Sequence, residues 1–185
     1  MWTLSVAPPE SPLTAGELAQ FLKLDDISAV EETAILERYL NAATAVAEKY
    51  LNRSLDLRTF TLIYPAPLPY LRTVQPSYPK LKRYELPYTM LAQVNSVTVD
   101  TTAATYEVIG NDPAFVELKS FPTDTLTISY DAGYEYVPAA IEQGILQHAA
   151  YLYEHRGACD VTDAMHMSGA ASLYRPYRIP AGMVL

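Results

Sequence analysis

Histidine, cysteine and paired carboxylates are the side chains in this sequence that could do chemistry, and their spacing argues against a metal site. His148 and His155 are seven residues apart, so on one helix their Cα atoms would lie about 10 Å apart along the axis. That is too far for these two side chains alone to share one metal ion. A zinc site needs three or four close ligands, and Cys159 is the only cysteine. We therefore predict no metal and no cofactor.

Nucleophilic catalysis is the second chemistry that these residue types could support. Cys159 paired with a distant histidine would resemble a catalytic thiol, but residues 157–160 match no nucleophile motif. A free structural thiol is therefore the favoured interpretation. The sequence also lacks a glycine-rich phosphate loop and a Gly-x-Ser-x-Gly turn. The carboxylate pairs Asp25-Asp26 and Glu31-Glu32 flank a predicted helix start, where acidic residues favour the helix dipole. We predict that the chain is not an enzyme.

The expected compartment follows from cysteine use and from the N-terminus. A single cysteine allows no internal disulfide and is typical of a reducing compartment. Residues 1–9 lack a basic region and a long apolar run, and no stretch approaches 18 apolar residues. We expect a soluble protein without a signal peptide or a membrane span.

Tyrosine is the unusual feature of the composition. The 185 residues include 15 Tyr against 4 Phe and 1 Trp, while 50% are hydrophobic and 18% charged, which is a globular composition. A tyrosine ring is apolar and its hydroxyl is polar, so tyrosine suits surfaces that are wet before assembly and buried afterwards. Compositional drift within one fold would give the same count. The favoured class is an assembly or binding subunit.

Charge is unevenly spread along the chain. The net charge of −8 argues against a protein that binds nucleic acid by neutralising phosphates. Residues 58–90, however, carry five basic side chains against Glu85 alone. This segment is either a solvated basic loop or a loop that meets DNA or an acidic face of a neighbouring subunit. The loop residues predicted to make such a contact are Arg72, Tyr78, Lys80, Lys82, Arg83 and Tyr84.

Hydrophobic periodicity predicts three helices, at residues 14–24, 28–52 and 138–156. Capping boxes open the first two, with Thr14 and Ser28 as the N-caps. The second helix is amphipathic and is the longest element. The third helix is apolar on two faces, so it is either central in its domain or wedged between subunits.

A β region, about residues 59–130, separates the second and third helices. Alternating or β-branched stretches predict strands at 59–64, 94–100, 105–109, 115–119 and 126–130, which together suggest a small antiparallel sheet. Six prolines between residues 65 and 87 predict an extended loop. The predicted fold class is α+β, with a helical bundle core and an inserted small antiparallel sheet.

The remaining residues, 158–185, are predicted to form an extended C-terminal arm that follows a single domain at 1–157. Tyrosine and arginine are frequent anchors of protein interfaces, which makes this arm a candidate for docking on another protein. The docking residues are Leu173, Tyr174, Arg175, Pro176, Tyr177 and Arg178.

Several short stretches resemble one known family when they are taken in order. They are Glu48–Leu55 at a helix end, Leu86-Pro87-Tyr88 followed by Val94–Val99, Tyr130–Tyr134 followed by Val137-Pro138, the helix-end motif Tyr153-Glu154-His155-Arg156, and Pro176-Tyr177-Arg178. Together they resemble the head–tail connector proteins (adaptor or head-completion proteins) of tailed bacteriophages and gene transfer agents. The likeness spans about residues 7–180. Two departures stand out: Gly144 interrupts the last helix, and the loop at 65–82 is unusually rich in Pro and Tyr.

This resemblance implies a structural subunit of the virion neck, present in the host cytoplasm during assembly. Such proteins form a ring, usually of twelve copies, beneath the portal protein. The ring extends the DNA channel and offers a docking surface to a stopper or tail-completion protein. The resemblance then implies that the arm docks on the portal or a neighbouring subunit and that the basic loop is intersubunit or tail-facing. An acidic channel wall would let DNA pass without specific binding, because it makes few phosphate contacts.

Two alternatives stay open from the sequence. Another neck or tail-completion protein would share the small β content and the acidic charge, although not the last helix with its Tyr-Glu-x-Arg end. A small enzyme whose site is assembled from scattered residues is the more remote alternative.

Overall fold

The computed structural model describes residues 2–24, 30–65, 83–88, 90–119, 122, 124–155 and 160–179. Its elements confirm an α+β fold. The helices are α1 (Ala15–Leu22), α2 (Val30–Leu51), α3 (Ala139–Glu154), α4 (Val161–Met167) and α5 (Ala170–Tyr174), followed by a 3₁₀ turn (Arg175–Tyr177). The strands are β1 (Thr3–Ser5), β2 (Arg58–Tyr64), β3 (Arg83–Leu86), β4 (Leu91–Val99), β5 (Thr102–Ala103), β6 (Tyr106–Ile109), β7 (Ala114–Leu118) and β8 (Leu126–Ala132).

Backbone contacts group the chain into two compact units, and the single domain expected over 1–157 stays a prediction. One, the β unit, comprises Met1–Ala7 and Leu57–Gly133. The other, the helical unit, comprises Pro8–Asp56 and Tyr134–Leu185. None of the helices in the described part of the chain is long and apolar enough to cross a membrane.

The β unit contains two antiparallel sheets that share one apolar core. The five-stranded sheet has the order β1-β2-β8-β4-β5, and the three-stranded sheet has the order β3-β7-β6. Strand β8 shows why the sequence folds this way: Leu126, Ile128 and Tyr130 are buried and alternate with polar residues on the outer face. Phe60 of β2 lies opposite Tyr130, so large side chains meet at the centre of the sheet.

The five predicted strands are confirmed within a few residues of their predicted ends. The sequence missed β1, β3 and β5, which are four residues long or shorter and too short to show alternation. The Pro-rich loop predicted between β2 and β3 lies outside the described residues.

The helical unit begins with the predicted capping box. The Thr14 hydroxyl oxygen accepts a hydrogen bond from Glu17 N at 3.3 Å, and Glu17 Oε2 accepts one from Thr14 N at 2.7 Å. The second predicted box, at Ser28, lies outside the described residues. Helix α3 begins at Ala139, one residue after the predicted start at Pro138. Its buried residues Ile141 and Ile145 join α1 and α2 in one core.

The prediction of an extended arm is wrong for residues 161–177, which form two short helices and a 3₁₀ turn joined at Ser168-Gly169. Asp160 caps α4, because its carboxylate accepts a hydrogen bond from Thr162 N at 2.8 Å. Ala164, Met165 and Ala170 are buried, so short, small-residue helices cover the core in place of an arm. A seven-residue and a five-residue helix are too short to show helical periodicity in the sequence.

Candidate interaction surfaces

The chain after α5 is bound to the end of α2. Ile179 N donates a hydrogen bond to Leu51 O at 3.0 Å, and Arg53 Nε donates one to Tyr177 O at 2.7 Å. The Arg178 guanidinium lies 4.8 Å from the centre of the Tyr50 ring, within cation–π range. Two of the stretches that carry the family resemblance, 48–55 and 176–178, are therefore two sides of one contact.

A buried carboxylate shapes the α2 side of this contact. Glu48 is 5% exposed, and its Oε1 accepts hydrogen bonds from Leu55 N at 2.8 Å and from Ser54 Oγ at 3.4 Å. Asn52 has a φ of 57°, the left-handed conformation that often ends a helix. The Glu48 side chain thus holds the turn from which Arg53 reaches Tyr177.

We expect Glu48→Ala to destabilise the protein by about 1 to 3 kcal/mol, because it leaves the buried Leu55 N–H without that acceptor. Urea unfolding followed by circular dichroism measures the change. Glu37→Ala, on an exposed position of the same helix, is the matched control and should change stability by less than about 0.5 kcal/mol. Equal losses in the two variants would contradict a structural role for the Glu48 carboxylate.

The predicted docking residues do not form one exposed set. Tyr174 is fully buried, so the prediction that its ring docks on another protein is wrong. Leu173 and Tyr177 are half-buried, whereas Arg175, Pro176 and Arg178 are exposed.

The Tyr174 ring instead packs on Gly144 of α3. A Cβ atom at position 144 would lie 3.0 Å from Cζ and 3.1 Å from Cδ1 of Tyr174, and closer still to Cε1. The ring also contacts Tyr50, with centroids 6.2 Å apart. Gly144, which departs from the family pattern, therefore leaves the space that the buried Tyr174 ring occupies.

The helix-end motif at 153–156 contributes to packing. The Tyr153 ring meets the Tyr39 ring edge to face, with centroids 6.1 Å apart. Glu154 is exposed, and Arg156 lies outside the described residues. Tyr153 thus joins α3 to α2.

His148, a possible metal ligand by residue type, connects α3 to α4. Its Nε2 lies 2.8 Å from Val161 O, so the Nε2–H tautomer donates to that carbonyl. The residue is fully buried, and desolvation lowers the pKa of the His148 imidazole, while the hydrogen bond to Val161 opposes that shift. This is a neutral core histidine.

We expect the stability of the protein to fall as the pH drops below about 6.5. The unfolded chain binds a proton on His148 near its usual pKa of about 6.5, whereas the folded chain resists it, so the stabilisation is present above that pH and is lost below it. Urea midpoints at pH 7.5 and 5.5 measure the effect. His148→Gln should reduce the pH dependence, and His155→Gln, at an exposed position, should not. Identical pH profiles for wild type and His148→Gln would contradict this prediction.

The base of the predicted basic loop is fixed in the β unit. Arg83 forms an ion pair with Glu117 at 3.2 Å, and its guanidinium lies 5.8 Å from the centre of the Phe115 ring. The Tyr84 ring contacts Tyr64 with centroids 4.9 Å apart, and burial raises the pKa of Tyr84. The other predicted loop residues, Arg72, Tyr78, Lys80 and Lys82, lie outside the described residues.

Another pair of family-like stretches also meets in the β unit. Tyr88 stacks on Phe60 with centroids 5.7 Å apart, and Phe60 stacks on Tyr130 at 5.4 Å. The Tyr130 hydroxyl donates a hydrogen bond to Pro87 O at 2.7 Å. The stretch 86–88 therefore covers one end of the β core.

On the outer face of the five-stranded sheet, the Asp131 carboxylate is fixed by hydrogen bonds from three side chains. Asp131 Oδ1 accepts hydrogen bonds from Thr59 Oγ1 at 2.7 Å and Asn95 Nδ2 at 2.8 Å, and Oδ2 accepts one from Gln93 Nε2 at 2.8 Å. The Thr59 and Gln93 bonds, followed by the Asn95 bond, lower the pKa of Asp131. This face therefore presents a fixed negative charge. Within the described ranges, no group of three or more His, Cys, Asp or Glu side chains is placed to hold a metal ion.

The chain is similar in fold to solved chains of gene transfer agent (GTA) particles. It matches a chain in the neck of an empty GTA particle computed with C6 symmetry, with a TM-score of 0.72 and 23% identity over 100% of this chain and 98% of that one. It also matches chains in the neck of a native GTA particle computed with C12 symmetry and in the virion of a native particle, each with a TM-score of 0.69 and 22% identity over 100% and 98%. No protein-family model and no curated protein matches the sequence. At this identity the likeness establishes a shared fold.

Proposed function

We propose that this chain is a head–tail connector subunit, a structural and non-enzymatic protein of the neck of a phage-like particle. The observation that carries the proposal is a fold likeness that covers the whole of this chain and nearly the whole of a chain from a GTA neck. The stretches that resemble the connector family support it, because several of them are paired contacts within this fold.

The proposed assembly is a ring of identical copies, twelve in number, beneath the portal protein. Necks computed with C6 and C12 symmetry contain chains of this fold, which supports a cyclic arrangement. In the proposal the ring contacts the portal on one side and a stopper or tail-completion protein on the other, in the virion neck. Assembly would take place in the host cytoplasm.

The acidic character of the chain suits a DNA channel through which DNA passes without specific binding. The net charge is −8, and fixed carboxylates such as Asp131 present negative charge. Because phosphate neutralisation by Lys and Arg drives non-specific DNA binding, an acidic wall would retain little DNA. The proposed ring would therefore act as a conduit.

Docking on the portal or a neighbour is assigned to the exposed Arg175, Pro176 and Arg178. The contact with α2 fixes their backbone, which lowers the entropy lost on docking. Charge reversal at Arg175 should weaken portal binding at least tenfold, while Arg38→Glu, at an exposed position of α2, should leave it unchanged.

Mass photometry and negative-stain electron microscopy of the chain, alone and mixed with the portal protein of the same particle, test the proposed function. Rings, or monomers that form rings only on portals, are the expected result. Binding to a tail component without portal contact would instead identify another neck or tail-completion protein. A stable small dimer that binds neither would refute a role in the neck.

A further inference from the structure

A shallow groove in the helical unit runs along α1 and α3 and is lined by apolar and acidic side chains. Its apolar residues include Leu13, Phe21 and Leu146, and its acidic residues are Glu17 and Glu142. No Lys or Arg is among the described residues that line it. Such a lining fits a partner segment that is both apolar and basic.

Phe21 is the clearest sign that the groove binds a partner. It is 42% exposed, whereas Leu18 and Ala19 of the same helix are buried. An exposed aromatic ring beside a half-buried leucine, Leu146, forms an apolar patch bordered by charge. A segment that supplies both apolar and basic side chains could cover this ring and pair with the carboxylates beside it.

The Glu17 carboxylate is held in place by the capping box. Its Oε2 accepts hydrogen bonds from both the backbone N and the hydroxyl of Thr14, which lowers the pKa of Glu17. No described residue donates to Oε1 of Glu17, and neither Glu17 nor Glu142 forms an ion pair within the described ranges. Two anions therefore border the apolar patch.

We propose that this groove binds residues 66–82 of a neighbouring copy of this chain, an inference that rests on the proposed ring. The segment contains Arg72, Lys80 and Lys82 and no acidic residue, which complements the two glutamates. It also contains four prolines, at positions 67, 69, 76 and 79. Pro-rich basic peptides bind grooves that combine an aromatic side chain with acidic residues.

Ring geometry and chain length both favour a neighbouring copy as the source of the segment. A cyclic ring of more than two copies needs two different patches on each copy, one for each neighbour. The groove supplies one patch and the segment the other. The 17 residues between Pro65 and Arg83 are enough chain to reach at most about 28 Å outward and return, at 3.3 Å per residue. The proposed contact with a neighbouring copy would use that length.

A labelled peptide of residues 66–82 tests the groove directly. The recipient is the full chain carrying Arg72→Glu, Lys80→Glu and Lys82→Glu, so that its own segment does not compete. Arg83 is left intact because it pairs with Glu117. Fluorescence anisotropy should show saturable binding. Phe21→Ser or Glu142→Lys in the recipient should weaken it at least tenfold.

Matched controls separate the groove from the general surface. Met167→Ser changes an apolar side chain that is 72% exposed elsewhere in the helical unit, and Glu32→Lys reverses an exposed charge on α2. Both should bind the peptide as the unmodified recipient does. Absence of binding, or equal loss in the groove and control variants, would overturn the proposal.

Mixing two variants tests whether the segment comes from another copy. A copy with a defective groove (Phe21→Ser, Glu142→Lys) and a copy with the reversed segment should each be monomeric at 100 μM, and their equimolar mixture should form a heterodimer. A mixture that stays monomeric would overturn the neighbour assignment. If the mixed variants form heterodimers but the wild-type chain forms no ring on portals, the groove contact is supported and the neck function is refuted. If the wild-type chain forms portal-bound rings but the peptide does not bind, the neck function is supported and the groove contact is refuted.

Discussion

Replacing Tyr174 with alanine is expected to destabilise the protein by about 3 to 5 kcal/mol, the usual cost of removing a large buried aromatic side chain. The ring is fully buried between Gly144 of α3 and Tyr50 of α2. Glycine has no side chain that could fill the space left by the ring, so the cavity would persist. Urea or thermal unfolding of the full chain measures the loss.

Tyr174→Phe is the matched control for this prediction. The Tyr174 hydroxyl is buried and has no hydrogen-bond partner among the described residues, so its removal should be neutral or slightly stabilising. A loss in the phenylalanine variant as large as that in the alanine variant would show that the hydroxyl, and not the ring, is what matters.

The same contact changes how a C-terminal truncation must be interpreted. Deleting residues 171–185 removes Tyr174 from the core as well as the exposed Arg175 and Arg178. Loss of portal binding after that deletion would therefore reflect unfolding as much as loss of a docking surface. Point substitutions at exposed positions separate the two effects.

Local patterns in the sequence predicted the longer elements well. The Thr14 capping box, the long apolar face of α2 and the alternation along β8 act over a few residues, so they are visible without the fold. The short helices α4 and α5 are held by tertiary burial of residues such as Met165 and Ala170. Elements of that length carry too little periodicity to be recognised from sequence.

The candidate docking surface was harder to predict, because an interface tyrosine and a core tyrosine look the same in sequence. Tyr174 and Tyr177 stand three residues apart in one Tyr-Arg-rich stretch, but one is buried and the other is half-exposed. What separates them is a contact with Gly144, thirty residues away in the chain. Only the folded structure shows that pairing.

The family-like stretches illustrate the same point. Their order along the chain carried a resemblance, but no physical reason for each stretch. The structure supplies one: Arg53 reaches Tyr177 O, and Tyr130 reaches Pro87 O. These stretches act as pairs that hold distant parts of each unit together.

Gly144→Ala is expected to destabilise the protein by about 1 to 3 kcal/mol, although alanine is the better helix former by about 1 kcal/mol. The new methyl group would approach three carbon atoms of the Tyr174 ring at 3.1 Å or less. The ring cannot turn away freely, because it is fully buried and contacts Tyr50. Overpacking therefore outweighs helix propensity at this position, and a fall in the urea midpoint would show it.

Two further variants test whether the Tyr174 ring is the cause of the expected loss of stability. Gly16→Ala places a methyl group in another helix, where the nearest atom is Thr14 Oγ1 at 3.9 Å, so it should be neutral or stabilise the protein by up to about 1 kcal/mol. In a Tyr174→Ala background the ring is absent, and Gly144→Ala should then stabilise α3 as alanine does in an ordinary helix. If Gly144→Ala destabilised both backgrounds equally, the ring would not be the reason for the glycine. The departure from the family pattern would then need a cause elsewhere on α3.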